Sequence, residues 1–325
     1  MQKEKVLVTG GAGYIGSVLT RILLNEGFKV RVIDNLMFGG EALIDVWTHP
    51  DFEFFKGDLR HTQDIKEALK GIDHVCHLAA IVGEPPCKKY PQETQEINWL
   101  ASVKLYEQCE EAHIKRFVFA STCSNYGKMP DPDLYLDETS PLNPISLYAE
   151  TKVNFESYLL SQQNSSVYKT ILRFSTVYGI SPRMRFDLTV NEFTRDATLG
   201  KELLIYGENF WRPYCHVYDL ANAMNLTLKT DAKLVANECF NVGNTDQNYT
   251  KKMLMDEIQK WVPNLQVTYK SMGEDPRDYC VNSDKIRDKI GFTITRTVPM
   301  GVKEVNYLIK SGILTDTYTA RYRNI

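Results

Sequence analysis

The feature that most constrains this chain is a glycine-rich turn between an apolar strand pattern and a helical pattern. Gly10, Gly13 and Gly16 follow the strand at the spacing G-x-x-G-x-x-G. Gly10 permits the tight turn, Gly13 lets the backbone approach a pyrophosphate, and Gly16 lets the helix pack closely on the sheet. Free N–H groups at the helix start favour phosphate charge. The turn predicts a dinucleotide-binding fold, with a glycine-rich turn that holds no ligand as the alternative.

Short apolar runs alternate with helical stretches through the first half of the chain, which is typical of βαβ units in a parallel sheet. Strands are predicted at Lys5–Thr9, Lys29–Asp34, Phe52–Lys56, His74–Leu78, Arg116–Ser121 and Lys169–Phe174. Helices are predicted at Tyr14–Glu26, Thr62–Leu69, Pro91–Ala112 and Ile145–Leu160. Nearly continuous apolar strands indicate a sheet covered on both faces. We therefore expect an α/β fold with a doubly wound parallel sheet of the Rossmann type.

The alternation weakens after about residue 180, where polar, arginine-bearing loops separate shorter elements. A buried strand pattern returns at Cys239–Gly243. The length of 325 residues suits about two domains. We expect a Rossmann NAD-binding domain over residues 1–178 with a return segment about 214–244, and a smaller α/β substrate-binding domain over 179–325, mainly 179–213 and 245–325.

The second strand ends at Asp34, 18 residues beyond Gly16. This spacing is close to the ~20 residues that separate the glycine motif from the acidic residue on an adenosine ribose. The Asp34 carboxylate repels a 2′-phosphate, and Arg31 leaves the strand from the opposite face. We therefore expect NAD rather than NADP. Asp58, at the end of the third strand, is a weaker candidate for contact with adenine.

A tyrosine and a lysine four residues apart supply the candidate chemistry. Tyr148 and Lys152 share one face of a predicted helix. Thr122 ends the fifth strand, where open α/β sheets bind ligands. An adjacent ammonium and an oxidised nicotinamide favour the phenolate of Tyr148. Tyr148 then takes a proton from a substrate hydroxyl while hydride leaves its carbon, and Thr122 hydrogen-bonds the same oxygen. A surface Tyr–Lys pair is the alternative.

Charge and cysteine content narrow the functional classes. The chain has 38 basic and 41 acidic residues, so no overall field attracts it to nucleic acid or anionic lipid. It lacks both a signal-type apolar segment and the ~18 consecutive apolar residues of a membrane span. Seven cysteines without a C-x-x-C pair indicate a reducing compartment and no metal cluster. We expect a cytoplasmic protein with no metal, nucleic-acid or membrane partner.

These motifs resemble the extended short-chain dehydrogenases/reductases of the NAD-dependent nucleotide-sugar epimerase/dehydratase family. The resemblance spans essentially the whole chain. Its carriers are Gly10–Gly16, Asp34–Asn35, Gly57–Leu59, His77–Ala80, Ser121–Gly127, Tyr148–Lys152 and His216–Ala221. The resemblance implies a catalytic triad of Thr122, Tyr148 and Lys152, and a homodimer formed through the helices at 91–112 and 145–160. The expected cofactor-binding residues are Gly10, Gly13, Tyr14, Ile15, Gly16, Asp34, Asn35, Asp58, Leu59, Leu78, Ala79, Ala80, Tyr148 and Lys152.

The resemblance also implies a nucleoside diphosphate sugar as substrate. A diphosphate needs strong, preferably bidentate donors. Arg212 and Arg277 resemble the phosphate-binding arginines of the family, and Asn191 resembles its diphosphate-contacting Asn. Arg183 and Arg185 are expected to line the sugar pocket. For any single arginine, a solvated surface charge is the alternative.

The residues after Thr122 bear on the reaction. Nucleotide-sugar 4,6-dehydratases of this family carry an Asp-Glu pair there, whereas this chain has Cys123 and Ser124. Elimination is therefore disfavoured, which leaves 4-epimerisation, or 4-oxidation without return of the hydride. Ser181–Arg185 and Gly83–Cys87 resemble a subgroup that contains both heptose-nucleotide 4-dehydrogenases and epimerases. A 4-keto-sugar reductase, a 3,5-epimerising relative with Cys123 as acid/base and a silent NAD-sensing protein remain alternatives.

Overall fold

The computed structural model describes residues 3–129, 134–270 and 278–324. The strands in these ranges are β1 (Lys5–Thr9), β2 (Lys29–Asp34), β3 (Phe52–Lys56), β4 (His74–His77), β5 (Arg116–Thr122), β6 (Tyr135–Leu136), β7 (Tyr168–Phe174), β8 (Thr176–Tyr178), β9 (Leu203–Tyr206), β10 (Trp211–His216), β11 (Glu238–Val242), β12 (Asn248–Thr250), β13 (Val267–Lys270) and β14 (Cys280–Val281). The α-helices are α1 (Tyr14–Asn25), α2 (Thr62–Leu69), α3 (Glu84–Lys89), α4 (Pro91–Thr94), α5 (Ala101–Glu111), α6 (Leu147–Ser161), α7 (Thr189–Thr198), α8 (Val217–Lys229), α9 (Ala232–Val235), α10 (Lys251–Gln259), α11 (Asp284–Ile290) and α12 (Val298–Lys310).

Seven parallel strands form the main sheet in the order β11-β7-β5-β4-β1-β2-β3. The chain runs outward from β1 to β3, then crosses back through α2 to place β4 on the other side of β1. Where strand order reverses in this way, a crevice opens at the carboxyl ends of the strands. The doubly wound parallel sheet is confirmed, and its switch point lies between β1 and β4.

Alternation along β1 places one hydrophobic core on each face of the sheet. Val6 and Val8 belong to the core covered by α1 and α8, whereas Leu7 belongs to the core covered by α2, α5 and α6. Successive strand residues point to opposite faces, so a strand buried on both sides must be apolar throughout. Because helices cover both faces, a ligand has access at the carboxyl edge.

A smaller lobe lies beside the main sheet. Strand β10 pairs in parallel with β8 and antiparallel with β12, and β9 pairs with β13. Helices α7, α10 and α12 surround a separate core that includes Tyr178, Leu203, Leu254 and Val302. The chain returns to the main sheet with β11, which pairs with β7. The division near residue 178 and the assignment of this lobe to substrate stay predictions.

The helix predicted at Pro91–Ala112 is interrupted, which corrects the expectation of one regular helix. A π-helical turn at Gln95–Leu100 separates α4 from α5. The Asn98 side chain accepts the backbone N–H of Ile81 at 2.8 Å and donates to the Ile81 carbonyl at 2.9 Å. The wider turn accommodates these two hydrogen bonds between Asn98 and Ile81. Such turns often occur at functional sites. Among the described residues, none of the helices is both long and apolar enough to cross a bilayer.

Candidate active site

A cavity of about 340 Å³ opens at the carboxyl edge of the sheet, at the switch point. The turns after β1, β2, β3, β4 and β5 form most of its wall, and α6, the loop after β8 and Asn324 also line it. Every residue expected to bind the cofactor lines this cavity, from Gly10 on the first turn to Lys152 on α6. Thr122 lines it as well. The structure therefore brings the cofactor motif and the expected triad to one place.

The glycine turn has the geometry that a dinucleotide requires. Gly10 has φ +71°, and a Cβ there would lie 2.9 Å from backbone atoms of Ala79. A Cβ at Gly16 would lie 2.2 Å from the Gly10 carbonyl oxygen, whereas one at Gly13 would meet only that oxygen, at 3.1 Å, and otherwise extend into open space. No side chain caps α1, which begins at Tyr14. The N–H groups of its first turn are therefore available to a phosphate.

Asp34 is fixed by two backbone donors, the N–H groups of Ala12 at 3.0 Å and Leu36 at 2.8 Å. Burial nevertheless raises the pKa of its carboxyl. Arg31 is bonded to Glu53 on the other face of the strand, at 2.8 Å, as its offset predicted. Since each carboxylate oxygen has more than one lone pair, Asp34 keeps capacity for a ribose hydroxyl.

Asp58 also lines the cavity, but its carboxylate is already bound. Arg60 donates to both of its oxygens, at 3.0 and 2.7 Å, and this bidentate contact lowers the pKa of Asp58 to about 2. Asn35 donates to the same carboxylate at 3.4 Å. We therefore expect the backbone around Asp58, rather than its carboxylate, to contact adenine.

Helix α6 positions the two expected catalytic side chains. The Ser146 hydroxyl caps the helix by accepting the N–H of Ala149 at 3.3 Å, which places Tyr148 in the first turn. Lys152 is buried one turn later, where its ammonium donates to the Ala120 carbonyl at 2.8 Å and lies 4.6 Å from the centre of the Phe119 ring. Burial lowers the pKa of Lys152 to about 8.

The surroundings of Tyr148 act in both directions on its phenol. Burial raises the pKa of Tyr148, whereas a hydrogen bond with Thr122 and the charge of Arg185 lower it. The net shift is upward in the protein alone. The Lys152 ammonium lies 5.9 Å from the centre of the Tyr148 ring. The sequence-based expectation of a phenolate therefore requires further positive charge beside the phenol.

A buried ion pair behind the triad was not predicted from the sequence. Glu156 and Arg173 form a salt bridge of 2.8 Å with almost no exposure. Asn125 donates to the same carboxylate at 2.8 Å, and Ser121 does so as well. Glu156 follows Lys152 by four residues, so it continues the ridge of α6 that begins at Tyr148. That spacing is the signal from which it could have been found.

His77 is a second residue that the sequence reasoning gave no role of its own. Its Nδ1 lies 2.8 Å from the Thr9 hydroxyl and its Nε2 lies 2.9 Å from the Ser102 hydroxyl. Burial and the charge of Lys152 lower the pKa of His77 to about 3. The neutral ring thus ties β1, β4 and α5 together, and Thr9 in turn accepts the N–H of Ala79 at 3.2 Å.

The expected substrate residues are not gathered in one place. Asn191 does not line the cavity: its fully buried amide donates to the Arg185 carbonyl at 2.9 Å and accepts the N–H of Gly179 at 2.9 Å. Arg212 lies on β10 over the ring of Tyr279, outside the cavity wall. Arg277 lies outside the described residues. Asn191 is therefore a brace for the loop before α7 in this structure, and a diphosphate contact from it stays a prediction.

Arg183 and Arg185 both line the cavity, but in different surroundings. Arg185 donates to both oxygens of Asp187, at 2.9 and 2.8 Å, and its charge acts on Tyr148. Arg183 lies instead over the ring of Phe38, in the loop that follows Asp34. Arg183 thus lies at the Asp34 end of the cavity, and a sugar contact from either arginine stays a prediction.

Cys123 is buried outside the cavity wall. Its thiol donates to the Arg173 carbonyl at 3.2 Å, and burial raises its pKa. Ser124, the next residue, lines the cavity. Cys123 therefore contributes to packing. Of the Cys123 thiol and the Ser124 hydroxyl, only the hydroxyl belongs to a residue that lines the cavity.

The chain matches the family described as "NAD dependent epimerase/dehydratase family" over residues 6–243. It is 30% identical over 316 residues to the UDP-glucose 4-epimerase of Lactobacillus helveticus, covering 89% of this chain and 91% of that protein. A UDP-glucose 4-epimerase from Halalkalibacterium halodurans is 30% identical over 311 residues, with 88% and 90% covered.

Solved structures give the same result. The Thermus thermophilus UDP-glucose 4-epimerase in complex with NAD has a TM-score of 0.82 and 27% identity, covering 95% of this chain and 100% of that one. The UDP-glucose 4-epimerase of Thermotoga maritima with UDP-glucose has a TM-score of 0.84 and 27% identity, covering 94% and 99%. The likeness thus extends through both the main sheet and the smaller lobe.

Proposed function

The chain belongs to the NAD-dependent epimerase/dehydratase family, and from this we propose that it is a nucleotide-sugar 4-epimerase that acts on a UDP-sugar. One observation carries the proposal: Thr122, Tyr148 and Lys152 line the same cavity as the glycine turn and Asp34. The names of the similar proteins support a C4 reaction and UDP. The cofactor is NAD, as in the neighbouring structure that contains it.

The residues present fit NAD. The open space at Gly13 and the uncapped start of α1 suit its pyrophosphate, and Asp34 suits an adenosine ribose hydroxyl. Ala79 and Ala80 line the wall between that end and the triad. When bound, NAD accepts the hydrogen of the sugar C4 with its electron pair and later returns it.

The side chains of the triad handle the proton of the same reaction. Tyr148, as the phenolate, removes the proton from the C4 hydroxyl, and the C4–O bond becomes a carbonyl as the C4–H bond breaks. Thr122, hydrogen-bonded to Tyr148, orients the reacting oxygen. Lys152 stabilises the phenolate from its fixed position on the Ala120 carbonyl. Inversion then requires the 4-keto sugar to present its other face before C4 regains its hydrogen and Tyr148 returns the proton.

The wall beside the triad disfavours dehydration. Loss of water from a 4-keto sugar needs an acid for the leaving hydroxyl and a base for the neighbouring carbon. Cys123 lies outside the cavity wall, and Ser124 has no acidic group in the ordinary pH range. These two positions therefore leave oxidation at C4 followed by reduction as the favoured reaction.

The proposal is tested by incubating the purified protein with UDP-glucose, and with GDP- and dTDP-sugars for comparison. We expect the C4 epimer of the UDP-sugar to form without net reduction of nicotinamide. A 4-keto product with equivalent reduced nicotinamide would instead identify a 4-dehydrogenase. Failure to form either product from any of these sugars would overturn C4 chemistry altogether.

We also propose a cytoplasmic homodimer. The helical span at 91–111 and helix α6 leave large apolar side chains uncovered, with Leu100 55% and Leu160 43% exposed. Covering such surface in a dimer is favourable. Light scattering after gel filtration should give a dimer for the native chain and a monomer for Leu100→Lys with Leu160→Lys. The free state of all seven cysteines supports a reducing compartment.

A further inference from the structure

Arg183 is a buried cation on which the carboxylates of Asp34 and Asp187 act only without direct contact. Only 7% of its surface is exposed, on the cavity wall. In the described ranges no carboxylate oxygen lies within 4 Å of its guanidinium, and its Nε has no hydrogen-bond partner. Arg185, two residues later, is paired with Asp187 through two bonds. Of the two arginines in this loop, Arg183 is therefore the one without a direct ion pair in the described ranges.

The surroundings of Arg183 disfavour an isolated positive charge. Burial and the charge of Arg185 lower the pKa of Arg183 to about 10, although the charges of Asp187 and Asp34 act in the opposite direction. A buried donor without an acceptor costs free energy, and a buried charge costs more. Contact between its guanidinium and the Phe38 ring, at 4.6 Å, compensates only in part. An anion beside the guanidinium would offset the cost of the buried charge.

The backbone connects Arg183 to the end of α1 that favours phosphate. Its N–H donates to the Ser181 hydroxyl at 3.3 Å, and that hydroxyl donates to the Tyr14 carbonyl at 2.7 Å. Tyr14 is the first residue of α1. Arg183 and the first residues of α1 therefore line the same cavity, with the guanidinium over Phe38 in the loop that follows Asp34.

Residues 317–324, here called the C-terminal strap, hold the arginine in place. Arg183 donates to the Asn324 side-chain oxygen at 2.5 Å and to the Arg323 carbonyl at 2.9 Å. The strap is itself anchored, because the N–H of Asn324 donates to Asp187 at 3.1 Å and the ring of Tyr322 packs on Phe186. Asn324 also lines the cavity.

We propose that Arg183, held by the C-terminal strap, binds the pyrophosphate of the dinucleotide opposite the start of α1 and keeps the cofactor in the cavity throughout the reaction. This inference rests on the proposed function. A 2′-phosphate is a less suitable ligand for Arg183, because the Asp34 carboxylate lies close enough for its charge to act on the arginine and would repel that phosphate. Retention matters because an epimerase must return the same hydrogen to C4, and a cofactor that exchanged would end the reaction at the 4-keto sugar.

The test compares Arg183→Gln, Arg183→Lys and Asn324→Ala with Arg116→Gln in the full chain. Arg116 is the matched control, since its guanidinium also donates to carbonyls, those of Thr227 and Thr230, but at the amino end of β5. Titration calorimetry measures the affinities for NAD, NADP and ADP. Bound NAD is also measured after gel filtration of the holoenzyme.

For Arg183→Gln we expect NAD and ADP affinities to fall by the same factor, about 10- to 100-fold, since a hydrogen bond to a charged group contributes about 1.5–3 kcal/mol. Arg183→Lys should recover part of the loss through its charge, Asn324→Ala should lose several-fold, and Arg116→Gln should match the native protein. NAD should be lost on gel filtration of Arg183→Gln only.

Unchanged NAD and ADP affinities in Arg183→Gln would overturn the inference. A loss confined to NADP would also overturn it, because Arg183 would then bind a 2′-phosphate, and a loss that Arg183→Lys does not relieve would indicate packing. The readout is independent of catalysis. If the native chain binds NAD through Arg183 but forms no C4 product, the proposed function fails and this inference does not.

Discussion

The two ends of the cavity differ in how their side chains are positioned. At the cofactor end, Asp34 ends β2 and Ala79 closely follows β4, the two strands that flank β1, and hydrogen bonds with backbone N–H groups fix both. At the expected sugar end, Asn191 on α7 and Arg212 on β10 belong to the smaller lobe, and neither lines the cavity. Strand order fixes the first set, whereas packing between lobes decides the second. The cofactor end can therefore be tested with single residues more sharply than the sugar end.

Tyr148→Phe, between the two ends, should have the largest effect. Removing the hydroxyl removes the group that exchanges the proton, so kcat should fall by about 10²- to 10⁴-fold. NAD retention should stay the same, because the hydroxyl is not needed for the pyrophosphate or ribose contacts. Tyr158→Phe on the same helix is the control, since its hydroxyl makes only a 3.5 Å contact with Glu107. Residual activity within tenfold of native would exclude Tyr148 as the base.

Glu156→Gln tests how much the buried Glu156–Arg173 pair behind the triad contributes to the stability of the fold. Loss of one charge leaves Arg173 buried without a counter-ion, which typically costs about 3–5 kcal/mol of unfolding free energy. Chemical denaturation measures the loss, and Glu107→Gln on exposed surface serves as the control. Adding Arg173→Met should recover part of the stability. A double variant as unstable as the single one would contradict this account of the pair.

Asp34→Ala tests whether the Asp34 carboxylate binds the adenosine ribose at the cofactor end of the cavity. Loss of the ribose acceptor should weaken NAD binding by about 10- to 100-fold. Loss of the negative charge should weaken NADP binding much less, so that the preference for NAD narrows. Calorimetric titration with both dinucleotides checks this, with the exposed Asp45→Ala as control. An unchanged NAD/NADP ratio would mean that Asp34 does not face the ribose.

Lys152→Met should abolish activity and yet stabilise the fold by about 1–2 kcal/mol. Burial lowers the pKa of Lys152 from 10.5 to about 8, so the folded state disfavours the charge that the unfolded chain carries. The native protein should therefore gain stability as pH rises from about 8 towards 10.5. The advantage of Lys152→Met should be greatest below pH 8 and shrink above it. Thermal unfolding at pH 7 and pH 10 measures this, and an advantage that grew with pH would have the wrong sign.

Cys123→Ala should have the smallest effect. The thiol lies outside the cavity wall, so kcat should stay within about twofold while packing loss costs about 1 kcal/mol. Product analysis by NMR would also detect inversion at C3 or C5. A tenfold loss of rate without loss of stability would place the thiol in the chemistry.

The sequence allowed prediction of features whose parts lie close together or repeat at fixed intervals. The bounds of β1, β2 and β3 agree with the apolar runs, and Tyr148 and Lys152 share a helix face as their spacing indicated. The contact between Arg183 and Asn324 joins residues 141 positions apart, and nothing local in either segment indicates it. The π-helical turn was missed for the same reason, since it depends on the hydrogen bonds between Asn98 and Ile81.

The most direct test of the central claim uses UDP-glucose that carries deuterium at C4. If the protein oxidises and reduces C4 with one retained cofactor, the epimer formed should keep its deuterium at C4 in ordinary water. NMR and mass spectrometry of the product measure this. Replacement of the deuterium by solvent hydrogen, or deuterium left on the cofactor beside a 4-keto sugar, would contradict the account.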